Sequence, residues 1–186
     1  MERRELLKAG CGVAACACLA PPAPAVSAGD GPGKLTPEDW RISFTLARIE
    51  NLLDIIAGLD EPARTEILGK FGRECGKAVV KGFEGDPERF WAHAKTLWLD
   101  RVECDMEKGI IDLLEKPRTQ YNCPLASLVK LPVAMCCCAA GTQEAIYERL
   151  FDRPVKATVD ESVLRGAARC SFTITLQHRA GKPNST

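Results

Sequence analysis

Val102-Glu103-Cys104-Asp105, then Glu107-Lys108-Gly109, then Ile110-Ile111-Asp112-Leu113-Leu114 is the stretch on which the fold class turns. Two apolar-alternating runs flank a glycine in a polar turn, which reads as a β-hairpin with its corner at Gly109. A helical reading of 103–115 competes with it. If the hairpin holds, helices precede it and strands follow it. Val155, Ala157 and Val159 alternate, and Cys170, Phe172, Ile174 and Leu176 alternate again, with Leu164-Arg165-Gly166-Ala167 as the turn between them. A short helix is expected from about Thr142 to Phe151, between the two hairpins. Segregated elements of this kind give an α+β fold, with N-terminal helices packed on one face of a small antiparallel sheet formed mainly by the C-terminal half.

Working back from the hairpin, three helix starts carry the same signature. Thr36-Pro37-Glu38-Asp39, Asp60-Glu61-Pro62 and Asp86-Pro87-Glu88 each combine a capping side chain, an early proline and acids in the first turn. Trp40, Phe44, Ile49, Leu53 and Ile56 keep helical spacing as far as Gly58. Ile67, Phe71, Cys75 and Val79 follow at successive i+4 positions, which predicts that this face of the second helix is buried. Phe90, Trp91, Ala94, Leu97 and Trp98 are the apolar positions of the third.

Residues 1–28 read as a leader. Arg3-Arg4, followed by Leu6, Leu7 and Lys8, resembles a twin-arginine export signal. Val26-Ser27-Ala28 offers small residues for signal peptidase, which makes Gly29 the expected mature N-terminus. Val13-Ala14-Ala15-Cys16 also resembles a lipobox, so lipid anchoring at Cys16 is the lesser alternative. The expected organisation is therefore leader 1–28, linker 29–35, one domain over 36–178 and a polar tail over 179–186. The expected location is the periplasm, with the twin-arginine translocase as a transient partner. Net charge is zero, with 25 basic and 25 acidic residues. No basic stripe exists to neutralise phosphates, which argues against nucleic acid. No apolar run is long enough for a transmembrane helix.

Ten cysteines stand out, three of them (Cys11, Cys16, Cys18) in the leader. The remaining seven, Cys75, Cys104, Cys123, Cys136, Cys137, Cys138 and Cys170, are an odd number, so they cannot all pair within one chain. Read as extended backbone, Cys136-Cys137-Cys138 points its first and third thiols to one face. Cys136, Cys138 and Cys170, with Glu161 or Cys123, would then supply soft donors for a tetrahedral zinc site. Cys75, in the apolar register of its helix, reads as core. Of the two histidines, His93 and His178, neither has a clear nucleophile to serve, and no phosphate loop, serine-hydrolase elbow or zincin motif occurs.

Cys123-Pro124-Leu125, Cys136-x-Cys138-x-x-Gly141, Phe151-x-Arg153-Pro154-Val155 and Glu161-Ser162-Val163-Leu164-Arg165-Gly166-x-x-Arg169-Cys170-x-Phe172 together resemble the L-2-amino-thiazoline-4-carboxylic acid hydrolase-like family over roughly residues 100–176. That family is distantly similar to the 4-vinyl-reductase domain, an α+β small-molecule-binding module. Some sensors of that kind hold zinc with three cysteines and a glutamate. Aligned on Gly166, the resemblance puts Cys136 and Cys170 at two cysteine positions, Ser162 at the third and Val159 at the glutamate; Glu161 and Cys138 are the substitutes at hand. It implies a small-molecule ligand and hydrolysis of a small C–N or C–S compound.

Three functions follow from the residues. The first is an exported domain binding zinc beside a small-molecule pocket between helices and sheet. The second is a thiol-redox or cysteine-nucleophile enzyme using the triplet. The third is a ligand-binding module with inert cysteines.

Overall fold

The computed structural model describes residues 37–177. The leader, its cleavage site, Cys16 and His178 lie outside the described residues. Helices α1 (Pro37–Ala57), α2 (Glu61–Val79) and α3 (Pro87–Leu97) come first. The hairpin β1 (Leu99–Asp105) and β2 (Ile110–Glu115) follows, then helix α4 (Met135–Phe151), then β3 (Val155–Glu161) and β4 (Ser171–Leu176). Gly109 turns the first hairpin in the left-handed region, at φ 67°. The Asp60 and Asp86 side chains cap α2 and α3 by accepting the backbone N–H groups of Ala63 and Arg89.

All four strands join one antiparallel sheet in the order β1-β2-β4-β3. Ile111 stands opposite Ile174 and Leu113 opposite Phe172, so the inward alternation of the two central strands coincides. The fold is α+β, with the helices mostly N-terminal and the strands in the C-terminal half. The helices that touch the sheet are α3, against β1, and α4, against β3 and β4. Helix α2 forms an outer layer on α4, and α1 meets α2 only lightly.

Two expectations need correction. The cysteine triplet is not extended: it forms the first turn of α4, which begins at Met135, seven residues before the expected start. Successive side chains there are about 100° apart, so Cys136 and Cys138 face different surroundings. Cys136 turns toward the sheet, and Cys138 joins a second apolar cluster with Leu53, Leu68, Val129 and Met135. The other correction concerns α2. Its buried residues are Leu68, Gly72 and Gly76, whereas Ile67, Phe71, Cys75 and Val79 are exposed.

The cause is glycine. A Cβ on Gly72 would overlap the Cys138 carbonyl oxygen, and one on Gly76 would overlap that of Thr142. Gly141 meets the Gly69 backbone in the same way. Bare backbone lets α2 and α4 approach closely, and that contact outcompetes the larger apolar face. Thr142 Oγ1 seals the seam by donating to the Gly72 or Cys138 carbonyl, 3.1 and 3.0 Å away.

Candidate functional site

Only two polar side chains are buried among the described residues, Glu115 and Ser162, and both lie in one cluster with Cys136 and Cys170. Four elements supply it. Cys136 comes from the first turn of α4, Ser162 from the residue after β3, Cys170 from the residue before β4, and Glu115 from the last position of β2. Glu115 continues the inward register of Ile111 and Leu113, so strand geometry drives a carboxylate into the apolar side of the sheet. Arg118 answers it with an ion pair of 2.9 Å.

Ser162 is the hub. Its Oγ lies 3.3 Å from Cys136 Sγ, 3.9 Å from Cys170 Sγ and 3.2 Å from the Leu164 backbone nitrogen. A hydroxyl has two acceptor lone pairs and one proton. With the Leu164 N–H on one lone pair, a single thiol can donate to the other. The hydroxyl proton is then left for the second sulfur, so the two thiols hold unequal roles around one oxygen. Cys170 is held above the ordinary thiol range by burial, which the Val163 N–H, the Ser162 hydroxyl and Arg118 partly offset. Burial also raises the Glu115 carboxyl, opposed by Arg118 and by the Cys170 thiol as hydrogen-bond donor. The hydroxyl of half-buried Tyr121 donates to the Met135 carbonyl at 3.5 Å and is pushed up by burial, then by the neighbouring Cys138, Cys136 and Cys170.

The residues named from sequence therefore divide. Cys136 and Cys170 meet at Ser162. Cys138 faces away, toward Cys75 and Cys123, and burial together with those two sulfurs pushes its thiol up to about 12. Cys123 is half-buried at the residue preceding a short 3₁₀ turn, Pro124–Ser127. Glu161 is exposed at the end of β3, opposite Ser171. Cys137 is half-buried, 3.7 Å from Thr65 Oγ1. His93 stacks on Phe83 at the surface. Sequence reasoning missed Glu115 and Arg118; the available signal was a carboxylate at an inward strand position.

Zinc can be tested against this geometry. Two thiols and a hydroxyl share one point, but no group of three His, Cys, Asp or Glu side chains among the described residues is arranged to hold a metal. A closed structural zinc site uses four such donors, so the donor set here stops short of one. Two cavities open near these elements. A narrow one, about 10 Å³, lies between α3, α4 and the sheet with Glu115 and Gln143 in its otherwise apolar wall. That is room for a single water. The other, about 550 Å³, is a groove along α3 and β1 lined by Trp91, Val102, Cys104 and Met106.

No family model and no curated protein matches the chain. Among solved structures it is similar to trafficking protein particle complex subunit 3 from Naegleria fowleri, covalently bound to palmitic acid, with 12% identity over 76% of this chain and 96% of that one, TM-score 0.48. It is similar to a vinyl-4-reductase family protein from Methanocaldococcus jannaschii, with 19% identity over 79% and 85% and TM-score 0.40. It is also similar to the phenol-responsive sensory domain of the transcription activator PoxR, with 11% identity over 70% and 74% and TM-score 0.45. No helix among the described residues is long and apolar enough to cross a membrane.

Proposed function

We propose that this is an exported protein that processes a small molecule, with Cys170 as nucleophile and Glu115 as its base, at a site that must open to admit substrate because Cys170 is buried and the cavity beside Glu115 holds a single water. The observation that carries this reading is a buried carboxylate, paired with Arg118, in the same buried cluster as the Cys170 thiol. Enclosing a charge pair in an apolar interior costs several kcal/mol per ion before compensation, and stability alone gives little reason to keep one. In the proposed step the Cys170 S–H proton passes to Glu115, and the thiolate attacks an electrophilic carbon bonded to nitrogen or sulfur. That C–N or C–S bond breaks, and Glu115 returns the proton to the leaving atom. Water then releases the acyl group from Cys170. The Ser162 hydroxyl and the Val163 N–H are the donors that steady the thiolate.

The test is turnover of a panel of small thiazoline carboxylates, amides and thioesters, with mass spectrometry of the trapped enzyme. Cys170→Ala should abolish turnover and the adduct. Glu115→Gln should lower kcat by about a hundredfold or more. Undiminished turnover in Cys170→Ala would overturn the reading.

A second reading, favoured by the convergence of Cys136 and Cys170 on one oxygen, makes the two thiolates ligands of a zinc whose remaining donors this cluster does not supply. About one equivalent of zinc in protein folded in the cytoplasm, with both thiols shielded from alkylation, would decide for it.

A further inference from the structure

Helices α1 and α2 each carry an apolar face that the other described residues leave uncovered. On α1, Trp40, Phe44 and Ile55 lie on the side opposite Leu53, the residue through which α1 is anchored, and all three are exposed. The Trp40 and Phe44 rings stack with centroids 5.3 Å apart. On α2, the exposed positions are Ile67, Phe71 and Val79, the very residues whose spacing marks a buried face. A surface helix normally has one apolar stripe, and a helix apolar on opposite sides is normally covered on both. Helix α1 has two such sides, and the α2/α4 glycine seam has turned the main apolar stripe of α2 outward.

We propose that α1 and α2 form a dimerisation face and that its occupant is a second copy of this chain, each copy's α1 lying along its partner's α2. Area and composition favour that occupant. The six residues, 37–66 % exposed and three of them aromatic, present on the order of 100 Å² apiece, or about 600 Å² in all. A standard interface buries about 800 Å² per partner, a little over half of it apolar. Helix α1 holds four acids and two bases, whereas α2 holds three acids and four bases. Arg73 is taken by Glu144 and Glu148 of α4, so crossed packing sets a net acidic helix on a charge-balanced one, twice, under two-fold symmetry. A membrane surface fits less well, because a helix that lies on lipid is rich in Lys and Arg on its polar face. Here the exposed polar positions include the intrahelical pairs Glu66–Lys70 and Glu74–Lys77, which cancel.

The test is sedimentation velocity of the full chain in reductant from 5 to 100 µM. Dimers should be present in the micromolar range. Phe71→Asp, at an exposed position, should weaken them at least tenfold with an unchanged circular dichroism spectrum. Ile55→Arg should do the same, and mixing it one-to-one with Phe71→Asp should restore dimers, because one of the two crossed contacts is then wild type and the other pairs Arg with Asp. A wild-type monomer at 100 µM would overturn the proposal, whether it stays free, keeps its own leader on the face or sediments with phosphatidylglycerol vesicles. Dimers that survive Phe71→Asp would overturn it too, and no recovery on mixing would overturn the crossed packing.

Discussion

At the scale of single residues, Glu115 is where burial and charge compete most directly. Its carboxyl is raised because loss of water outweighs Arg118 and the Cys170 thiol. A raised carboxyl binds its proton more tightly folded than unfolded. The stability this provides is fully present below the unfolded value, about 4.5, and is lost as pH rises through the higher folded value. Glu115→Gln has no such proton to bind. The stability advantage of wild type over that variant should therefore shrink between pH 4 and pH 8 in urea titrations, by about 1.4 kcal/mol for each tenfold difference in proton affinity. A gap that widens with pH would mean that Arg118 outweighs burial. This residue was also the hardest part of the site to find in the sequence. An acid after Leu113-Leu114 looks like the end of a strand meeting solvent, and only the register with β4 shows that it points inward. Cys136 and Cys170 were easier, since thiols are scarce enough to single out. Their partner Ser162 was named only as the occupant of a cysteine position, because one serine among polar turn residues carries no signal of burial.

At the scale of elements, caps and turns were legible, while helix faces were not. Asp60, Asp86 and Gly109 act where their local chemistry says they should, because capping and positive φ are decided within a few residues. Which side of α2 is buried is decided by a partner in the other half of the sequence. Apolar periodicity pointed to Ile67, Phe71 and Val79, and Gly72 and Gly76, one step round the helix, won with Gly141 of α4 by letting backbones touch. The triplet was misread as extended for a related reason. Cysteine is a weak helix former and a fair strand former, and the helical context is supplied by the Gly141 seam further along the helix. That seam makes a sharp prediction. Gly72→Ala would drive a methyl group into the Cys138 carbonyl, backbone against backbone, with no flexible side chain to yield. Helix propensity alone would favour alanine by about 1 kcal/mol. Overpacking should reverse the sign and leave the variant about 2 kcal/mol less stable than wild type. Gly69→Ala, where nothing lies within 4 Å of the added carbon, should be neutral or stabilising in the same urea titration.

At the scale of the whole molecule, the two sulfur groups bear on whether the chain, if exported, must fold first. All seven cysteines of the described domain are free thiols, and they come from both halves of the sequence. Cys136 and Cys170 are buried together only once α4, β3 and β4 have assembled, and Cys138 is buried only once α2 has docked on α4. A chain crossing a membrane unfolded into an oxidising compartment would expose every one of these thiols to random pairing. Crossing in the folded state leaves Cys136, Cys138 and Cys170 covered, with Cys75 and Cys104 as the exposed sulfurs. The twin-arginine route expected from Arg3-Arg4 is one that would keep the buried thiols covered, and it can be tested directly. Replacing both arginines by lysine should hold the precursor in the cytoplasm, uncleaved, with its thiols still reduced. Wild type should appear in the periplasm starting at Gly29, with Cys136 and Cys170 still free by alkylation under native conditions. Periplasmic protein from the double-lysine chain in wild-type amount would remove the twin-arginine route. Cys136 found disulfide-bonded to Cys75 or Cys104 would show that the domain does not arrive folded.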